Sequence, residues 1–185
     1  MQWLKDNSKV DFFGRCLELT EFKMTGDADQ NPIVIPEMQS DQLDLMIDSF
    51  PPNLLKVELS AFVALSDLHV EKLVRRCNKI TVLSLSISDT ITNQSVTNIF
   101  KNLKNSLEVL DLGYCYNVSL DNIFEAVRNL KKLKVLYYDV HNRMWNGCAC
   151  GTCESLMKER PGLIIYNGFR ESFENIVANV DNYDD

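Results

Sequence analysis

The chain has 185 residues, 45% hydrophobic and 24% charged, which is enough for one globular domain with a real core and unlike a disordered chain. Its net charge of −7 argues against nucleic acid or an anionic membrane as a partner held by bulk electrostatics. No apolar run approaches the ~20 residues of a membrane span.

The first residues, "MQWLKDNSKVDFF", lack the basic-then-apolar build of a signal peptide, and the six cysteines then read as reduced or partly metal-bound. Both features predict an intracellular protein, of cytoplasm or nucleus. Residues 1–18 offer Trp3, Leu4, Phe12 and Phe13 as an N-terminal cap or the remnant of a repeat. A periodic region follows over 19–140. The pattern L-x-x-L-x-L occurs weakly at Leu19/Phe22/Met24 and, after a longer segment containing "QNPIVIPEMQS", clearly at Leu54/Val57/Leu59. It returns at Ile80/Leu83/Leu85, Leu107/Leu110/Leu112 and Leu133/Leu136/Tyr138, with first positions 26, 27 and 26 residues apart. Such a fixed period marks a stacked repeat.

Behind three of these strands the apolar period changes to that of a helix, in "SDLHVEKLVRRC" (66–77), "TNQSVTNIFKNLK" (92–104) and "SLDNIFEAVRNLK" (119–131). Ser66, Thr92 and Ser119 hold the same place ahead of each helix, where a hydroxyl caps an orphaned amide. No single strand-turn-helix unit buries both its leucines and its helix face, whereas stacked units merge them into one core. The expected fold is an α/β solenoid, a short horseshoe with a parallel sheet on the concave face and helices on the convex face. The whole chain is one domain, closed by a C-terminal cap over 141–185. In that cap "SLMKERPGL" (155–163) reads as a helix stopped by Pro161 and Gly162. "GLIIYNG" (162–168) reads as a last degenerate strand, and "FENIVANVDNYDD" as a short helix with an acidic end.

Alternation along a strand sends the residues beside the second leucine to the face opposite the core. Across copies they form columns on what is expected to be an open face: Lys56, Val82, Val109, Val135; then Glu58, Ser84, Asp111, Tyr137; then Ser60, Ser86, Gly113, Asp139. Three valines and a tyrosine flanked by Glu58, Asp111 and Asp139 predict a protein partner with apolar anchors and basic flanks. The competing reading is that β-branched residues simply favour strands.

"HNRMWNGCACGTCESL" carries chemistry beyond its fold. Cys148, Cys150 and Cys153 form C-x-C-x-x-C, and His141, Cys115 or an acid completes the four ligands that a structural zinc needs. Free thiols and a disulfide are the other two readings, and all three stay open. Nothing suggests an enzyme: the two histidines lack a partner nucleophile, and none of the seven glycines sits in a phosphate-cradling motif.

"LEVLDLGYCYNVSLDNI", "ITVLSLSISDTITNQSV" and "LLKVELSAFVALSDLHV" resemble leucine-rich repeats, specifically the cysteine-containing subtype of F-box proteins, whose repeat reads roughly L-x-x-L-x-L-x-x-C-x-x-I-T-D-x-x-L. The likeness spans about Leu54 to Tyr138. Phe62, Ser88, Cys115 and His141 stand at the cysteine position, so one copy in four obeys the subtype, and no F-box segment precedes the repeats. The resemblance implies a substrate-recognition module such as F-box ubiquitin-ligase receptors carry, or a related intracellular adaptor. The alternative is a secreted recognition protein with a disulfide-stabilised C-terminal cap, since "WNGCACGTC" loosely resembles the W-x-C-x-C start of such caps. Asn93-Gln94-Ser95 and Asn117-Val118-Ser119 are glycosylation sequons that would suit it.

Overall fold

The computed structural model describes residues 16, 18–25, 38–138 and 151–166, and for 151–154 the backbone only. Among the described residues six strands alternate with five helices: β1 (Glu21–Thr25), α1 (Ser40–Ser49), β2 (Lys56–Ser60), α2 (Asp67–Arg76), β3 (Val82–Ser84), α3 (Asn93–Leu103), β4 (Val109–Asp111), α4 (Leu120–Asn129), β5 (Val135–Tyr137), α5 (Gly151–Glu159) and β6 (Ile164–Tyr166). All strands are parallel, and spatial order equals chain order. This is the expected horseshoe.

The register carries the repeat into space. Phe22, Val57, Leu83, Leu110 and Leu136 are successive partners across the sheet. With Leu54, Ile80, Leu107 and Leu133 before them and Leu59, Leu85, Leu112 and Tyr138 after them, they fill one continuous core against the helices. Leu83 is wholly buried and Leu110 nearly so. Removing either side chain is expected to cost about 2–5 kcal/mol.

Two elements differ from the sequence reading. Helix α1 was not predicted, yet Leu43, Met46 and Ile47 are spaced for one face and are buried. The longer segment containing "QNPIVIPEMQS" interrupts the repeat period just ahead of this helix. Helix α5 begins at Gly151, four residues before the predicted start, and ends ahead of Pro161 as expected.

Neighbouring repeats also join through polar contacts that hydrophobic period does not reveal. The Asp67 carboxylate, at the first position of α2, accepts from the Thr92 amide (3.0 Å) and hydroxyl (2.6 Å). It also accepts from the Ser95 amide (3.1 Å) and from the Ser95 hydroxyl. One repeat thus caps the next repeat's helix. Asn93 repeats the device, its Oδ1 accepting from the Ser119 amide at 2.7 Å. Of the three predicted caps, Thr92 accepts from the Gln94 amide at 3.2 Å, whereas Ser119 makes no capping bond of its own. Ser66 works with His69: its amide donates to Nδ1 (3.1 Å), leaving Nε2–H to donate to the Ser40 carbonyl of the preceding repeat (3.2 Å). At the opposite helix ends, the Arg160 guanidinium donates to the carbonyls of Val127, Leu130, Lys131 and Leu133, closing the C-terminus of α4.

Candidate functional site: the sheet face and the loop edge

The predicted columns exist. Lys56, Val82, Val109 and Val135 are partners across β2 to β5, as are Glu58, Ser84, Asp111 and Tyr137. Asp139 lies outside the described residues.

Their predicted exposure is corrected. Val109 and Val135 are 1% exposed, Tyr137 3%, Val82 7% and Glu58 8%, while Ser84 and Asp111 are wholly buried. Only Lys56 remains half-buried. Alternation fixes which face a side chain takes; it says nothing about whether that face meets water. The valines and Tyr137 form a second apolar cluster, with Ile164 and Tyr166 packed against it. The Tyr137 and Tyr166 rings stack with centroids 6.2 Å apart.

Beside that cluster runs a buried polar network. Ser86 Oγ donates to Ser60 Oγ (3.0 Å), and Ser60 Oγ lies 3.3 Å from Ser84 Oγ. Ser84 Oγ donates to Asp111 Oδ2 at 2.6 Å, and Asp111 Oδ1 accepts from the Gly113 amide at 2.9 Å. Gly113 is closely covered: a Cβ would meet the Tyr137 ring at 3.1 Å and Asp111 Oδ1 at 3.2 Å, so a side chain there requires those groups to yield by a few tenths of an ångström. Lys23 lies 3.2 Å from Glu58, and Lys56 3.0 Å from Glu21, linking the first two strands.

At the cysteine position the repeats diverge in chemistry but agree in burial. Phe62 (5% exposed) joins the apolar core, and Ser88 (3%) lies 3.1 Å from Thr90 Oγ1. Cys115 (1%) donates from Sγ to the Leu85 carbonyl at 3.3 Å, a bond between repeats. Desolvation pushes the Cys115 thiol up to about 12, and burial, against the opposing charge of Arg76, pushes Cys77 up to about 11. Both are therefore packing residues rather than nucleophiles. The candidate zinc ligands His141, Cys148 and Cys150 lie outside the described residues, and of Cys153 only the backbone, within α5, is described. Among the described residues no three His, Cys, Asp or Glu side chains converge as a metal site.

What remains accessible is the edge where strands end and helices begin. Val63 is 71% exposed, Leu68 76%, Tyr116 47% and Ile87 39%. The Tyr114 and Tyr116 rings meet edge-on with centroids 6.3 Å apart. Sequence reasoning passed over these loops because they fall outside the periodic positions. Their signal was the apolar character of turn segments that are ordinarily polar.

No protein-family model matches the chain, and neither does any curated protein. Among solved structures, the tropomodulin C-terminal domain of Caenorhabditis elegans superposes with a TM-score of 0.55 at 10% identity, covering 96% of this chain and 99% of that one. A mandelate racemase/muconate lactonizing enzyme from a marine actinobacterium gives 0.27 at 7% identity, covering 93% of this chain and 52% of that one, a likeness too slight to carry an argument. The first comparison is one of fold: this chain is built like a leucine-rich-repeat-like α/β domain.

Proposed function

We propose that the chain is a protein-recognition module of an intracellular substrate receptor or adaptor, of the kind F-box leucine-rich-repeat receptors use to hold ubiquitin-ligase substrates. One observation carries the reading: five strand-helix units stack in strict parallel register, so equivalent side chains from consecutive repeats form ordered columns and loops along one molecule. Stacked repeats of this kind offer extended surfaces for another chain. The likeness of the repeats over about Leu54 to Tyr138 supports the F-box-like reading, although only Cys115 keeps the cysteine of that subtype. The partner is an apolar segment with basic flanks, matching the net charge of −7. It reaches the columns of Val82, Val109, Val135 and Tyr137, with Glu58, Asp111 and Asp139 beside them, only by displacing whatever shields them. The C-x-C-x-x-C cluster belongs to the C-terminal cap and holds a structural zinc, with Cys148, Cys150, Cys153 and His141 as its ligands.

Crosslinking of the folded chain in a lysate, then binding of the purified captured protein, tests this. The expected result is a 1:1 complex that weakens with salt. Capture equal to that of a heat-unfolded control would remove the reading. Metal analysis after purification under reducing, chelator-free conditions should find about one zinc per chain; a value near zero removes the metal.

A further inference from the structure

Among the described residues, three that are not glycine adopt left-handed backbone: Ala61 (φ 61°), Ile87 (φ 59°) and Tyr114 (φ 60°). They stand 26 and 27 residues apart, at the same place in three successive repeats, two residues beyond Leu59, Leu85 and Leu112. The turn is therefore a requirement of the repeat: the chain must bend there to leave the sheet. Glycine meets that requirement without steric conflict. In the first repeat the corresponding residue of the sequence is Gly26. A β-branched residue meets it worst, which makes Ile87 the least expected side chain for this backbone.

Ile87 is 39% exposed, so a large part of its side chain meets solvent. The fold demands the bend but does not demand a β-branched side chain there. A strained residue that also presents apolar surface to solvent points to a role outside the fold.

The surroundings indicate what that is. The Ala61 amide donates to the Ser86 carbonyl (2.9 Å) and the Ile87 amide to the Gly113 carbonyl (2.8 Å), so the three loops remain neighbours beyond the sheet. Val63, Leu68, Ile87, Tyr114 and Tyr116 thus share one edge of the solenoid. Charge is sorted along the same axis. No Lys or Arg occurs in residues 60–70, 85–100 or 112–127, where Asp67, Asp89 and Asp121 fall. Arg75, Arg76, Lys79, Lys101, Lys104, Arg128, Lys131, Lys132 and Lys134 all lie toward the opposite edge, in late helix turns and the loops leading to the strands. A basic segment is drawn to the first edge in preference to the second, where Arg75, Arg128 and Lys134 are partly offset by Glu71, Glu159 and Glu108.

We infer that the strand-end edge formed by Val63, Leu68, Ile87, Tyr114 and Tyr116 is the docking surface for a partner segment with aliphatic or aromatic anchors and neighbouring Lys or Arg. This rests on the protein-recognition reading and adds to the shielded columns an accessible contact surface, on the loops and the first turn of α2.

The test uses the full chain and a peptide selected against it from a random 16-residue display library, with titration of the selected peptide into variants. Leu68→Ser and Tyr116→Ser should weaken binding about tenfold or more, as truncated anchors do, with unchanged melting temperature. Ile87→Gly should weaken binding while leaving the melting temperature equal or higher, because the bend is relieved. Leu55→Ser and Met157→Ser, exposed apolar residues elsewhere, should bind as wild type. Peptide binding indifferent to the three edge substitutions overturns the edge and leaves the recognition reading standing. A lower melting temperature for Ile87→Gly overturns it as well, since the side chain would then serve the fold. Self-association that the edge variants abolish would assign the surface to a second copy and overturn the proposed partner. Selection yielding no peptide overturns both readings.

Discussion

Replacing Asp67 with alanine removes four acceptor bonds at the start of α3: those to the amides of Thr92 and Ser95 and to their hydroxyls. The hydroxyl of half-buried Thr92 can turn elsewhere and contributes little to the loss. The Ser95 amide keeps its bond to the Thr92 carbonyl (3.0 Å), but the Ser95 hydroxyl, on a wholly buried residue, loses its acceptor and cannot recover it from water. A hydrogen bond to a charged acceptor contributes about 1.5–3 kcal/mol. Leaving the half-buried Thr92 amide uncapped adds about 1 kcal/mol, for a total of about 2.5–4 kcal/mol. Urea denaturation at pH 7 should show that loss, with Asp67→Asn keeping part of the stability through its neutral acceptor. The pH dependence has a definite sign. Burial alone would raise the Asp67 carboxyl, but the bonds from Ser95 and Thr92 outweigh it and hold the group below its ordinary value. A carboxyl depressed on folding contributes stability that is fully present above its unfolded value of about 3.9 and is lost as pH falls through the folded one. The gap between wild type and Asp67→Ala should therefore narrow below about pH 4. A loss under about 1 kcal/mol at pH 7, or a gap unchanged down to pH 2, would refute the inter-repeat cap.

Arg160→Ala should destabilise the chain by about 2–3 kcal/mol, because four carbonyls around the end of α4 lose a charged donor; amide exchange should rise first in α4 and β5, and uniform acceleration throughout would contradict the local role. Val109→Ala should cost about 1–2 kcal/mol if the sheet face is as shielded as its 1% exposure indicates; a cost within about 0.5 kcal/mol would mark an open face. Native thiol labelling at pH 8 should spare Cys77 and Cys115, held at about 11 and about 12 by burial. All six thiols should react after unfolding without reductant, and a lower count would favour the secreted alternative.

Much of the architecture was legible because it depends on spacing. Leucines 26 and 27 residues apart could share a core only as parallel neighbours, and β2 to β5 pair in that register. Even the degenerate ends, Leu19/Phe22/Met24 and 164–166, took their predicted strands. The contacts that tie repeats together were less legible. Asp67 and Asn93 read as ordinary first-turn helix residues, and only the stacking of one repeat on the next turns them toward a foreign amide. Shielding of the sheet face was illegible for a different reason. Period-two alternation distinguishes two faces and carries no information on what lies over either one. The left-handed bends were also hidden: Ala61, Ile87 and Tyr114 share no residue type, so only backbone geometry reveals their equivalence.

Amide hydrogen exchange of the full chain with and without the selected peptide is the most direct measure of whether these stacked repeats recognise another chain and where. Slowed exchange should concentrate in the loops 61–66, 87–92 and 114–119, beyond the ends of β2, β3 and β4. Slowing confined to the lysine-bearing turns 77–81, 104–108 and 130–134, or none at all under saturating peptide, would contradict the account.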